Sequence, residues 1–233
     1  MVVLALVAVA VLIVLLVAAF SSAVPSFQDS LPKDSAGLLA NGTPLQQVVA
    51  TQDDLAIQLP ISQRDVTALG YHGADGNALP LKPVGRQANE NVFSRMVHWL
   101  FGGGGQGITY YELGGGVGPD TAALDVGAAQ GTNVFSPVDG VVVSIGDYVL
   151  NGEPHGNTLE IQPTRMPSVV VVVSRLKVDP SLAVGAPVTA STTKIGTVID
   201  LSAVERQALA RVTDDAGNHV TIEVDPAASL PVR

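Results

Sequence analysis

Two stretches decide the reading of this chain. The first is Thr121-Ala122-Ala123-Leu124-Asp125, followed closely by Gly131-Thr132-Asn133-Val134-Phe135-Ser136-Pro137-Val138-Asp139-Gly140-Val141-Val142. The second is Gly217-Asn218-His219-Val220-Thr221-Ile222-Glu223-Val224. Successive side chains of a strand point to opposite faces. His219, Thr221 and Glu223 therefore share one face, and Val220, Ile222 and Val224 turn to a core. By the same alternation Thr121, Ala123 and Asp125 share a face, while Asp120 points away. Paired across one sheet, the two strands form a small polar patch of Thr121, Asp125, His219 and Thr221.

Outward from these stretches the chain reads as short strands and turns. Strands are expected over 122–126, 140–145, 158–162, 169–176, 195–199 and 219–224, and earlier over 55–61, 78–84 and 108–113. The five valines 169–173 suit a strand buried on both faces. Pro60 puts its strand at a sheet edge. His72-Gly73-Ala74-Asp75-Gly76-Asn77 reads as a turn, and Asp214-Asp215-Ala216-Gly217 as a hairpin turn into the last strand. Helical spacing over 92–100, with Asn91 as cap, predicts one short helix. The capping-box pattern at Ser202 and Glu205 predicts another over 202–210. The glycine clusters 102–105 and 114–118 match neither a P-loop nor a dinucleotide fingerprint and read as loops.

Composition narrows the function. With 233 residues and a formal charge of -9, the chain has room for one moderate core and no basic run to meet phosphates, which excludes nucleic acid. There is no cysteine, hence no disulfide and no thiolate metal site. Residues 2–20 lack any polar side chain, and about 20 apolar residues cross a bilayer as a helix. They read as a single-pass anchor, with a signal peptide cleaved near Ser21-Ser22-Ala23 as the rival. The expected organisation is an anchor over 1–20, a linker over 21–50, a small mixed region over 51–106 packing on the next domain, and a β domain over 107–233.

The two opening stretches resemble the lysostaphin-type (LytM-like) peptidoglycan endopeptidases, whose motifs read His-x-x-x-Asp and His-x-His. The resemblance covers roughly 107–226 and implies a mostly β, barrel-sandwich-hybrid fold and work in the cell envelope. Zinc in that family is held by the His and Asp of the first motif and the second His of the other. Carried over, these positions are Thr121, Asp125 and Thr221, so two of three ligands are threonine, a poor zinc ligand beside imidazole. His219 matches the assisting base, and Arg175 falls where a further assisting histidine is implied. Asp125 and His219 are thus vestigial, and neither a metal nor another cofactor is expected.

The resemblance implies a membrane-anchored, non-catalytic domain that binds peptidoglycan or an envelope or division protein, with the bulk of the chain outside the cytoplasm. One alternative is an active zinc endopeptidase with rearranged ligands, for which His155, read as a loop histidine, is the spare imidazole. Another is a biotinyl- or lipoyl-like adaptor, for which Lys194 is the candidate lysine, without the methionine usual beside it. Ser136 and Ser174 lack the context of a nucleophile. The remaining expectation is a solvated groove around Asp125 and His219.

Overall fold

A computed structural model describes residues 44–74, 76–89 and 108–227. The expected anchor, most of the linker and the helix over 92–100 lie outside the described residues. Among those described, no helix is long and apolar enough to cross a membrane. All of them fall in one compact unit, 41–233.

The described residues form fourteen strands: β1 Val48–Gln52, β2 Leu55–Gln58, β3 Val66–His72, β4 Lys82–Pro83, β5 Arg86–Gln87, β6 Thr109–Glu112, β7 Ala123–Ala128, β8 Asn133–Phe135, β9 Gly140–Leu150, β10 Glu153–Pro163, β11 Val169–Val178, β12 Pro187–Val188, β13 Lys194–Val198 and β14 His219–Pro226. The main sheet runs β12-β9-β10-β11-β14-β7-β3-β6-β5, with β13 bridging β11 to β8. From β12 to β3 its neighbours are antiparallel. Strands β2, β1 and β4 make a second, small sheet.

One face of the main sheet is apolar because every second residue is. Leu159, Ile161, Val171, Val173, Val220, Ile222, Val224, Leu124, Val126, Leu69 and Tyr71 all turn inward. They meet Val49, Leu55, Ile57, Ile61 and Leu81 of the small sheet and its connections in one core. Tyr71 is a hinge pin of this layer. It is fully buried, donates from its hydroxyl to the Val49 carbonyl at 2.8 Å, and packs edge-on to Tyr110 with centroids 5.2 Å apart. Residues 48–87 are therefore woven into the β domain, since β3 is an interior strand of its sheet.

Several expectations are corrected. Residues 66–72 form a strand, so His72 ends β3 and the turn begins at Gly73. The 202–210 helix is absent. Val204 and Glu205 each donate to the Leu201 carbonyl in an isolated turn, and only Leu209–Arg211 is helical, as one 3₁₀ turn. The reason is partly local and partly tertiary. Ser202 spends its hydroxyl on Asp200, two residues earlier, and Leu209 packs on the sheet, where its Cδ atoms lie beside Gly70 and Gly127. The turn before β14 forms, with the Gly217 N–H on Asp215, but no strand precedes it. Strand β7 starts at Ala123, which leaves Thr121 in the preceding turn. The strands over 140–145 and 158–162 extend into a long β9–β10 hairpin turning at Asn151-Gly152, both at positive φ as a two-residue hairpin turn requires.

Tyr71→Phe should lower unfolding free energy by about 1 kcal/mol, the low end for a buried hydrogen bond, because the Val49 carbonyl keeps the Val84 N–H. Tyr71→Ala should cost about 3–5 kcal/mol through the cavity. Urea denaturation of the two variants checks the ratio.

Candidate functional site

The opposite face of the main sheet is polar, and register aligns its residues in rows. Ser144, Glu160, Val172, Glu223, Ala123 and His72 form one row across β9, β10, β11, β14, β7 and β3. Ser174, Thr221, Asp125 and Gly70 form the next, and His219 faces Gly127 in the one after. Asp125 thus sits between β14 and β3, with His72 one row above it and His219 one row below.

Asp125 is the centre. It is only 2 % exposed. Thr221 donates its hydroxyl to Asp125 Oδ1 at 2.7 Å. His72 Nε2 stands 3.2 Å from Oδ1, and His219 Nε2 stands 3.4 Å from Oδ2. The other ring nitrogen of each histidine is fixed on a backbone carbonyl: His72 Nδ1 at 2.7 Å from Gly73 O, and His219 Nδ1 at 2.8 Å from Gly217 O. A carbonyl only accepts, so each Nδ1 carries its hydrogen and each Nε2 is left to face the carboxylate. The ion pair with Asp125 overcomes burial and raises the His72 pKa from 6.5 to about 9, which makes it an imidazolium at neutral pH. Burial opposes charge on Asp125, but the two imidazoles and the Thr221 hydroxyl prevail and lower its pKa from 3.8 to about 2.

These residues do not fit the zinc centre of the resembled family. Adjacent ligands of a tetrahedral zinc lie about 3.3 Å apart for bonds of about 2.0–2.1 Å. The separations from Asp125 match that edge, but the two histidines address different oxygens of the carboxylate. Among the described residues no three His, Asp or Glu side chains converge on one ion. Thr121 stands off the strand, and its carbonyl serves the Leu81 N–H. Thr221 spends its hydroxyl on Asp125. His155 is not a loop residue: it is the extra residue of a bulge in β10, between Pro154 opposite Val149 and Gly156 opposite Tyr148. Lys194 opens β13 opposite Phe135, 3.7 Å from Asp179, and is no free hairpin tip.

Of the expected patch, the structure puts Asp125, His219 and Thr221 side by side and leaves Thr121 in the turn, and it adds His72, which sequence reasoning missed. The signal was present in Val66-Thr67-Ala68-Leu69-Gly70-Tyr71-His72, where Leu69 and Tyr71 alternate with small residues. The expected solvated groove is also corrected. Asp125, His219 and Thr221 are buried, and the His72 side chain is 25 % exposed. Arg175 lies beside them, in contact with Tyr148, Glu205 and Gln207.

No protein-family model matches the chain, and no curated protein matches it significantly. Among solved structures, Helicobacter pylori Csd3 in its hexagonal crystal is similar at 22% identity and a TM-score of 0.31, over 45% of this chain and 23% of that one. The orthorhombic crystal of Csd3 gives 21% and 0.33, over 47% and 26%. The solution structure of lysostaphin gives 16% and 0.35, over 48% and 38%. This chain thus spans well under half of the length of either protein.

Asp125→Asn should cost about 3 kcal/mol, the low end for breaking a buried pair, because the partly exposed His72 can shed its proton. The pH profile of stability should be bell-shaped. The Asp125 contribution is complete above pH 3.8 and is lost as pH falls toward about 2. The His72 contribution is complete below pH 6.5 and is lost as pH rises through about 9. Denaturation across pH 2–10 should show a plateau near pH 4–6.5, and His72→Gln should abolish the alkaline limb and also reduce the acid limb, because His72 is one of the groups that lower the Asp125 pKa.

Proposed function

We propose that this chain is a non-catalytic, peptidoglycan-peptidase-like protein that binds cell-wall peptide through the polar face of its sheet. The observation that supports this most is the fate of the zinc position. A hydroxyl stands at Thr221 where the resembled family has an imidazole, and it is committed to Asp125. A catalytic zinc needs three protein ligands and an open site for water. Here the carboxylate is saturated by protein hydrogen bonds and a histidinium. A fold can be kept when its chemistry changes, and the surface left for recognition is then the polar face of the sheet around the buried cluster.

The envelope setting rests on the apolar run 2–20 and on the resemblance. We place the protein as a single-pass membrane protein with its β domain outside the cytoplasm. A protein partner in the envelope, rather than the wall itself, is the other reading of the same surface.

Purified full-length protein should carry far less than one zinc per chain by elemental analysis, and should cosediment with isolated sacculi without solubilising them. Zinc at one per chain would overturn the non-catalytic reading. Failure to cosediment would shift the ligand from the wall to a protein. In cells the chain should stay in the membrane fraction through an alkaline wash. Recovery of a soluble form starting near Val24 would show a cleaved leader instead.

A further inference from the structure

Arg175 holds an unusual place in β11. Val173 opposes Leu159 of β10 and Leu176 opposes Asn157, so three steps on β11 match two on β10. Ser174 and Arg175 thus form a bulge opposite Thr158, where β11 also changes partner from β14 to β13. Arg175 takes φ of 63°, a left-handed conformation that costs a residue with a Cβ about 1–2 kcal/mol. A glycine would remove that cost.

What the bulge achieves is to aim a guanidinium into a preformed cradle. Its Cζ lies 5.2 Å from the centre of the Tyr148 ring, on β9. Nη1 donates to Glu205 Oε2 at 2.6 Å and to Gln207 Oε1 at 3.1 Å, and Nη2 faces Glu205 Oε1 at 3.4 Å. Gln207 is 3 % exposed; its Nε2 donates to the Glu205 backbone carbonyl at 3.0 Å and also lies 3.4 Å from Glu205 Oε2. The fork of an arginine and one buried amide therefore converge on a single carboxylate, the geometry that recognises carboxylates bidentately.

That carboxylate is supplied by the chain itself, from a largely exposed segment between two buried leucines. Leu201 and Leu209 are buried and pin its ends, while Ser202, Ala203, Val204 and Arg206 between them are exposed. The Glu205 side chain is 33 % exposed against 16 % for Arg175, so it closes the cradle from the solvent side.

We propose that Arg175, Tyr148 and Gln207 form a receptor for the free carboxylate of a peptide, and that Glu205 occupies it as an internal stand-in which the ligand displaces. This rests on the reading of the polar face as a peptide-binding groove, and names the group it recognises. A singly charged planar carboxylate suits the site better than a phosphate, because Asp125 and Glu223 act on the same neighbourhood.

The test uses the full-length protein, titrated with N-acetylalanine and with N-acetylalaninamide by calorimetry and by the NMR signal of the Arg175 Nε–H. Glu205→Gln should tighten N-acetylalanine binding at least about tenfold over the parent, the weight of one charged hydrogen-bonded competitor. The amide should not bind either form. Adding Arg175→Lys, which keeps the charge but not the fork, should abolish the gain while circular dichroism shows an intact fold. Binding no tighter in Glu205→Gln, or equal binding of the amide, would overturn the receptor. So would binding that survives Arg175→Lys. Cosedimentation with sacculi alongside no response to N-acetylalanine would sink this proposal and leave the wall-binding reading standing. A carboxylate response without cosedimentation would do the reverse.

Discussion

The charge buried at Asp125 constrains everything around it. A carboxylate that is 2 % exposed is tolerable only with donors in place, and those donors come from two other strands, His72 at the end of β3 and Thr221 on β14, with the His219 ring close on its other oxygen. The site exists only while β14, β7 and β3 keep their register. A slip of one residue on any of them would send the polar set into the core and the valines and leucines to the outer face. The two backbone carbonyls at Gly73 and Gly217 then fix the imidazole tautomers, so the cluster is held from outside as well as within. Its rigidity is a property of the sheet, and the same sheet buries the core on its other side.

The packing above the sheet follows from two small residues. Gly70 and Gly127, opposite Asp125 and His219, leave space that Leu113, Thr67 and Leu209 share. A Cβ at Gly127 would stand 3.1 Å from Leu209 Cδ1, and one at Gly70 would stand 3.0 Å from Leu209 Cδ2. The segment that leads to β14 is drawn over the site by this contact, which explains both why His219 is buried and why no regular helix forms there. Glu205 reaches Arg175 because Leu209 has already brought the segment down.

How much of this was legible in the sequence depends on which residues carried a period. β14 was readable because polar and apolar residues alternate strictly through 219–224, and β7 because Asp125 stands between Leu124 and Val126, which placed Asp125, His219 and Thr221 on one face. β3 was hidden by the residues after it. Gly73, Asp75, Gly76 and Asn77 are strong turn formers, and the turn they signal absorbed His72, which is the last residue of the strand. The bulge at Ser174 and Arg175 was not legible at all, since a left-handed arginine carries no compositional mark. The helix expected over 202–210 failed for a related reason: the would-be cap Ser202 bonds back to Asp200 instead, and Leu209 packs against distant residues of the sheet.

The charges of the site are balanced in pairs, and this separates chemistry from recognition. His72 neutralises Asp125, and Arg175 neutralises Glu205. Asp125 is buried, with His72 3.2 Å and His219 3.4 Å from its oxygens and the Thr221 hydroxyl 2.7 Å away, and each of these neighbours is buried or anchored on a backbone carbonyl. Exchanging one of its partners for a ligand would expose a buried charge, at a cost no single contact repays. The Arg175 pair differs in kind. Its carboxylate is partly solvated and sits on an exposed span, so replacing it with another carboxylate leaves the buried charge count unchanged. Of the two pairs, only this one can change partners without the sheet being disturbed, and that makes it the place where the outside of the protein meets the inside.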